Sequence, residues 1–121
     1  MPPSLIRHDQ LVTKARSPLP ALIAQWARTV DYIDRHAMAA DDFRADVDVR
    51  HEIARRMRTQ SYTPETREML ADLDAQFRAA TEPTDECIHG ADVATREAWT
   101  PTREWYFWRI STRRIVTPIS S

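Results

Sequence analysis

The chain contains very little glycine and cysteine, with one residue of each, Gly90 and Cys87, among its 121 residues. A single glycine excludes the glycine-rich loops that cradle phosphate groups. It also disfavours a hairpin-rich β fold, because tight hairpin turns need residues with positive φ. A single cysteine excludes an internal disulfide, so nothing in the sequence requires an oxidising compartment.

Long hydrophobic runs are also missing. No apolar stretch approaches the roughly 20 residues that cross a bilayer. The N-terminus lacks the basic region followed by an apolar one that marks a signal peptide. The formal net charge of −1 excludes a whole-molecule attraction to nucleic acid or to an anionic membrane. These features predict a cytoplasmic protein without a membrane partner.

The composition is that of an ordinary globular domain, with 42% hydrophobic and 29% charged residues. Sixteen of the seventeen basic residues are arginine, and Lys14 is the exception. Arginine suits bidentate recognition of carboxylate or phosphate. A bias of this kind is also typical of GC-rich coding sequence, and we interpret the chain as bacterial.

Hydrophobic periodicity predicts an all-α fold, a small bundle of three principal antiparallel helices. The helices are expected at 18–38, 42–60 and 64–80. Proline follows a capping side chain at Ser17-Pro18 and at Thr63-Pro64, a typical helix start. The apolar positions shift by roughly 110° on the helical wheel near residue 40, which predicts a break between the first two helices.

Either Asp41 or Asp42 is expected to cap the second helix. The side chains expected to face the core are the apolar ones on the three stripes. They are Leu22, Trp26, Val30, Ile33, Phe43, Val47, Met57, Met69, Leu70, Leu73 and Phe77.

The whole chain, 1–121, is predicted to form one domain. Residues 1–16 form an N-terminal arm with a short helix at 5–15, and 17–81 form the three-helix core. An acidic connection and an aromatic C-terminal segment occupy 82–121. Within them, residues 92–99 are expected to form one or two helical turns and residues 113–121 an extended end.

The aromatic C-terminal segment is the most unusual part of the sequence. Residues 99–110 hold five of the ten aromatic residues, including three of the four tryptophans. The run at 105–108 favours strand by propensity, whereas the preceding Thr-Pro favours a helix start; of the two, we predict a short helix. The residues expected to bind a partner are Trp99, Trp105, Tyr106, Trp108, Arg109, Arg113 and Arg114.

Tryptophan, tyrosine and arginine are enriched at protein–protein hot spots. The first functional hypothesis is therefore a non-catalytic interaction protein, an accessory subunit or dimeric adaptor that binds a protein partner or a second copy through this segment. The same residues suit stacking on unpaired bases with arginines on phosphate, so binding of single-stranded nucleic acid is the alternative. A third possibility is that the segment only packs against the helices.

Candidate catalytic residues are few. Asp48, His51 and Glu52 lie within two turns of the second predicted helix, as in the metal sites of helical bundles, but matching ligands from other helices are not evident. Cys87 and His89 are two residues apart and would not face each other on a helix. The sequence therefore predicts no cofactor and no metal. It favours a non-enzyme, with a small helical enzyme built on Asp48, His51 and Glu52 as the alternative.

Overall fold

The computed structural model describes residues 17–113. The helix predicted at 5–15 and nearly all of the extended end predicted at 113–121, including Arg114, lie outside the described residues. In chain order the elements are α1 (Leu19–Arg35), α2 (Ala40–Thr59), α3 (Pro64–Ala79), β1 (Thr81–Pro83), α4 (Ala91–Glu97), a 3-10 helix (Trp105–Trp108) and β2 (Arg109–Ser111).

The predicted all-α class is confirmed, and each of the three principal helices is found within a few residues of its expected position. The break between α1 and α2 falls at 36–39, slightly earlier than expected. The turns predicted at 92–99 correspond to α4. Between residues 17 and 113, no helix combines the length and the apolar character needed to cross a membrane.

The inward face of α1 follows the predicted stripe and is buried along its whole length. Its buried residues are Leu19, Leu22, Ile23, Trp26, Thr29, Val30 and Ile33. They recur at intervals of three and four residues, which places them on one side of a 3.6-residue helix. α1 packs against both α2 and α3, so its one buried stripe faces two helices.

α2 is buried over a wider arc than the sequence predicts. Phe43 and Val47 face the core as expected, whereas Met57 only packs at its edge. The additional buried residues are Val49, Arg50 and Ile53. At about 100° per residue these positions cover an arc of roughly 160°. The reason is that α2 contacts α1 on one side and the 3-10 helix on another.

The helix starts agree with the prediction at α3 and disagree at α2. Thr63 caps α3, and its hydroxyl accepts a hydrogen bond from the backbone N–H of Thr66 at 3.1 Å. The predicted Asp41 or Asp42 cap of α2 is wrong, since Ala39 occupies the cap position without a side-chain bond. Both aspartates instead lie inside the first turn, where their charge still complements the helix dipole.

Met69 was expected to face the core, but 55% of its surface is exposed. On α3, Leu70 and Phe77 are buried and lie within roughly 20° of each other on the helical wheel, while Met69 lies about 80° from Phe77. Leu73 is partly buried at the edge of the core. The inward face of α3 is therefore narrower than predicted.

Separate alanine substitutions at Phe77 and at Met69 test how much each face of α3 contributes to stability. Phe77 is fully buried, with its ring 4.8 Å from that of Trp26 and 6.1 Å from that of Phe43. Phe77→Ala should lower the free energy of unfolding by about 3–5 kcal/mol. Met69→Ala should change it by less than about 0.5 kcal/mol. Urea denaturation of both variants is the measurement, and similar losses would contradict the assigned face.

A two-stranded antiparallel sheet returns the end of the described chain to the end of α3. Thr81 pairs with Ser111, and Pro83 pairs with Arg109. Two further backbone bonds continue this contact, from the N–H of Thr84 to the carbonyl of Trp108 and from the N–H of Ile88 to the carbonyl of Phe107. The sheet was not expected, and it fixes the aromatic segment over the open side of α2 and α3.

One carboxylate connects all three principal helices. Asp74 of α3 accepts two bonds from the Arg50 guanidinium of α2, each 2.9 Å long, and one from the Trp26 indole N–H of α1 at 3.2 Å. The side chains of Arg50 and Asp74 are 10% and 13% exposed. A charge-assisted, two-point contact of this kind fixes both distance and direction.

Removal of the Asp74 carboxylate would leave the buried Arg50 guanidinium without its counterion. Asp74→Ala should therefore cost about 3–5 kcal/mol of unfolding free energy. Asp72→Ala, at an exposed position of the same helix, is the matched control and should cost less than about 0.5 kcal/mol. A loss below about 1 kcal/mol for the Asp74 variant would show that water replaces the carboxylate.

Candidate interaction surface at the C-terminal tryptophans

A tight turn positions the aromatic segment. The side chain of Glu104 accepts a hydrogen bond from the backbone N–H of Thr100 at 2.9 Å, and the Thr100 hydroxyl accepts one from the N–H of Arg103 at 3.1 Å. These reciprocal bonds resemble those of a helix capping box. The Thr-Pro start signal therefore forms a turn, and the helix that follows is one turn of 3-10 helix.

The 3-10 helix divides its four aromatic residues into two pairs. Tyr106 and Phe107 are 2% and 0% exposed, whereas Trp105 and Trp108 are only partly buried. Residues three apart eclipse each other in a 3-10 helix, so the two tryptophans share one side. The short helix predicted for this run is found, and Tyr106 belongs to the core instead of the predicted binding surface because it points the other way.

Phe107 holds the aromatic cluster together. Its ring centroid lies 4.2 Å from Trp99, 5.0 Å from His51 and 5.2 Å from His89. Aromatic pairs at such separations stabilise beyond the area that they bury. The cluster thus joins α2, the connection before α4 and the C-terminal segment.

Two histidine hydrogen bonds complete this junction. The Tyr106 hydroxyl lies 2.8 Å from Nδ1 of His51, and Nε2 of His89 lies 2.8 Å from a carboxylate oxygen of Asp48. Burial raises the pKa of Tyr106 to about 12, so its hydroxyl stays protonated; it donates to Nδ1 of His51 when the imidazole proton is on Nε2 and accepts from Nδ1 in the other tautomer. His51 and Asp48, the two α2 residues, are therefore hydrogen-bonded to residues that lie far away in the sequence.

Two arginines lie near the ring of Trp105. The guanidinium carbon of Arg78 lies 3.8 Å from the ring centroid of Trp105, and that of Arg50 lies 6.0 Å away. The edge of the indole also meets the ring of Phe77 at 5.9 Å. Cation–π contacts of this type fix the indole while leaving part of it at the surface.

Trp99 and Trp108 line an open groove of about 340 Å³. The groove is also lined by Ala91 and Ala94 of α4 and by Ala98, the residue that follows this helix, whose small side chains leave it unfilled. The indole Nε1 of Trp108 is shielded from solvent and has no hydrogen-bond partner among residues 17–113. We call the exposed parts of Trp99, Trp105 and Trp108 the tryptophan surface.

Two of the arginines predicted to bind a partner, Arg109 and Arg113, donate to backbone carbonyls. Arg109 donates to the hydroxyl of Thr81 at 2.8 Å, to its carbonyl at 3.1 Å and to the carbonyl of Arg78 at 3.2 Å. Arg113 donates to the carbonyl of Asp34 at 2.8 Å. The Arg109 guanidinium thus binds carbonyls at the end of α3, and the Arg113 guanidinium binds one at the end of α1. Carbonyls in the last turn of a helix have no partner within the helix.

The structure does not bring Asp48, His51 and Glu52 together in one site. Asp48 binds His89, His51 binds Tyr106, and Glu52 pairs with Arg55 and Arg56 at 2.6 and 2.8 Å. In the described part of the chain, no three His, Cys, Asp or Glu side chains form a group that could hold a metal ion.

Cys87 lies two residues before His89, which is paired with Asp48. It is 4% exposed, and burial raises the pKa of its thiol. The thiolate, which is the nucleophilic form, is therefore disfavoured. Within this structure Cys87 acts as a small apolar residue of the core.

Comparison with protein-family models, with curated proteins and with solved structures finds no match for this chain.

Sequence reasoning did not identify Phe107, Glu104 and Arg50, which organise the site. Arg50 lies three residues after Val47 on the inward face of α2, and that spacing could have indicated a buried cation. Glu104 lies four residues after Thr100, a spacing that could have indicated the reciprocal turn. No local signal connects Asp48 with His89, because 41 residues separate them.

Burial lowers the pKa of His51 below its ordinary value of 6.5, with smaller contributions from Arg58 and Arg55; the charges of Asp48 and Glu104 oppose the shift. The folded state therefore favours the neutral imidazole. Its stabilising contribution is complete above pH 6.5 and is lost as the pH falls through the folded-state pKa.

His51→Gln tests this pH dependence. Glutamine can still accept the Tyr106 hydroxyl but cannot take up a proton. The unfolding free energy of the wild type should fall as the pH decreases below about 6.5, and that of the variant should fall less. His36→Gln, at an exposed position, is the control and should follow the wild type. Urea denaturation at several pH values measures all three, and parallel curves for wild type and His51→Gln would contradict the assignment.

Proposed function

We propose that this chain is a non-catalytic bacterial interaction protein of the cytoplasm, an accessory subunit or dimeric adaptor that binds through the tryptophan surface. The observation that carries the proposal is the state of Trp108. Its ring is partly exposed on an open groove, and its N–H has no partner within residues 17–113. The exposed part of the Trp108 ring on this groove is the apolar surface that a bound chain would cover.

Two of the three rings of the tryptophan surface are held in place by packing contacts. Trp99 lies against Phe107 at 4.2 Å, and Trp105 lies under Arg78 at 3.8 Å. Side chains that are already held in place lose little conformational entropy on binding. Partly buried tryptophan beside arginine is also the usual composition of a hot spot.

The charges around this surface favour an acidic partner. Arg78 and Arg103 are exposed at its edges. The connection that runs beside the 3-10 helix carries Glu82, Asp85 and Glu86, all exposed. A second copy of the chain could therefore supply the carboxylates to the arginines of the first, as the self-complementary interface of a dimer requires.

Binding of single-stranded nucleic acid is the second candidate function. It is favoured by Arg55 and Arg58, whose charges act on His51, a neighbour of Trp99 at 5.3 Å. A base could stack on Trp99 with arginines near its phosphates. We rank it lower because Arg109 and Arg113 donate to backbone carbonyls. The enzyme hypothesis is ranked third because Asp48, His51 and Glu52 bind different neighbours.

Alanine variants of the tryptophan surface test the proposal. Truncation of a hot-spot tryptophan typically costs at least about 2 kcal/mol of binding, or about thirtyfold in affinity. Trp108→Ala and Trp105→Ala should therefore weaken self-association measured by sedimentation velocity, and capture of a partner from the source cells. Tyr62→Ala, which removes an exposed aromatic ring between α2 and α3, is the matched control and should leave both unchanged.

Thermal melting of the same variants separates binding from folding. If the tryptophans serve only the core, both variants should lose about 3–5 kcal/mol of stability while association per folded molecule stays unchanged. If they bind nucleic acid, affinity for single strands should fall steeply with added salt. A wild type that remains monomeric and captures no protein would overturn the proposal.

A further inference from the structure

A second surface, on the opposite side of α2 from the C-terminal segment, is a cleft between α1 and α2. Its volume is about 590 Å³, within the range of about 300–1,000 Å³ that small-molecule sites occupy. The chain between the two helices closes one end, where Met38 contributes to the wall. Tyr32 forms part of the α1 side, with 45% of its surface exposed.

The cleft carries charges of opposite sign on facing helices. Arg28 lies on α1, and Asp42 and Asp46 lie one turn apart on α2. None of the three forms an ion pair with another residue of 17–113. Several other charged residues of these helices are paired: Asp31 with Arg35, Asp41 with Arg44, Glu52 with Arg55 and Arg56, and Arg50 with Asp74.

Asp46 is the least exposed of the three charged groups and lies partly buried beside Thr29, which is 4% exposed. The Thr29 hydroxyl has one hydrogen, which it can donate to Asp46 or to the Gln25 carbonyl 3.3 Å away. Burial raises the pKa of the Asp46 carboxyl, and the nearby charge of Asp42 raises it further. A cation placed between the two carboxylates would offset both the burial of Asp46 and its repulsion from Asp42, because a nearby opposite charge favours the ionised carboxylate.

We propose that the α1–α2 cleft binds a small amino acid with a cationic side chain. Its carboxylate pairs with Arg28, and its two cationic groups pair with Asp42 and Asp46. One guanidinium and two carboxylates give the lining a net charge of −1, which matches a ligand of net charge +1. The exposed ring of Tyr32 provides a face for the aliphatic chain or its cation.

Calorimetric titration of the full chain with L-arginine is the primary experiment. Two analogues test the charged groups of L-arginine one at a time: agmatine lacks the carboxylate, and L-citrulline lacks the side-chain charge. L-arginine should bind more tightly than either by about two- to fivefold, the upper part of the range for one ion contact at a partly exposed site.

Two variants assign the contacts. Arg28→Gln should weaken L-arginine about fivefold and leave agmatine unchanged, because agmatine has no carboxylate to lose. Asp46→Asn should weaken both ligands, because both keep a cation. Arg67→Gln and Glu68→Gln, two exposed charge removals on α3, are the controls and should leave both affinities unaltered.

Asp46→Asn should also fold normally. A group whose folded-state pKa is raised stabilises the fold only at low pH and costs stability once it ionises. At pH 7 the asparagine variant should therefore melt no lower than the wild type, so lost binding would not reflect lost folding. Absence of binding at about 10 mM L-arginine, enough to occupy most of a site with a Kd of about 1 mM, would overturn the proposal. Equal weakening of L-arginine and agmatine by Arg28→Gln would also overturn it.

Discussion

The Asp74 carboxylate is the contact on which the arrangement of the helices depends. It receives Trp26 from α1 and Arg50 from α2, while Arg50 also lies over the Tyr106 ring at 5.2 Å. Hydrophobic burial brings helices together without fixing their rotation, because it is not directional. A bidentate ion pair is directional. The pair therefore sets which faces of α2 and α3 are inward and where the C-terminal segment can pack.

The position of α2 follows from this constraint. Its sequence is strongly charged, yet α2 contacts α1, the C-terminal segment and, through Arg50, α3. A charged helix can occupy such a place only if its polar groups are bound as they are buried. Asp48, Arg50 and His51 each meet a partner more than twenty residues away in sequence. These side chains therefore act as connectors between elements.

Much of the helical framework was predictable from the sequence, because a 3.6-residue stripe and a Thr-Pro cap are local signals. The predictions failed where a distant contact decides the outcome. Arg50 interrupts the apolar pattern of α2, and its burial makes sense only once Asp74 is known to face it. β1 forms because β2 returns to it, and neither triplet has a strand pattern of its own. The tryptophan surface was predicted by composition, but not which of its rings would remain exposed.

The 3-10 helix Trp105–Trp108 contributes two side chains to the core and two to the surface, and its geometry explains this division. In a strand, alternate side chains share a face, so residues 105 and 107 would be buried together and 106 and 108 would be exposed, or the reverse. In a 3-10 helix the first and fourth residues eclipse each other. Burial of Tyr106 and Phe107, with Trp105 and Trp108 on the remaining side, is the division that helical geometry produces. The two buried rings hold the segment on α2, and the two tryptophans are thereby presented outward as a pair.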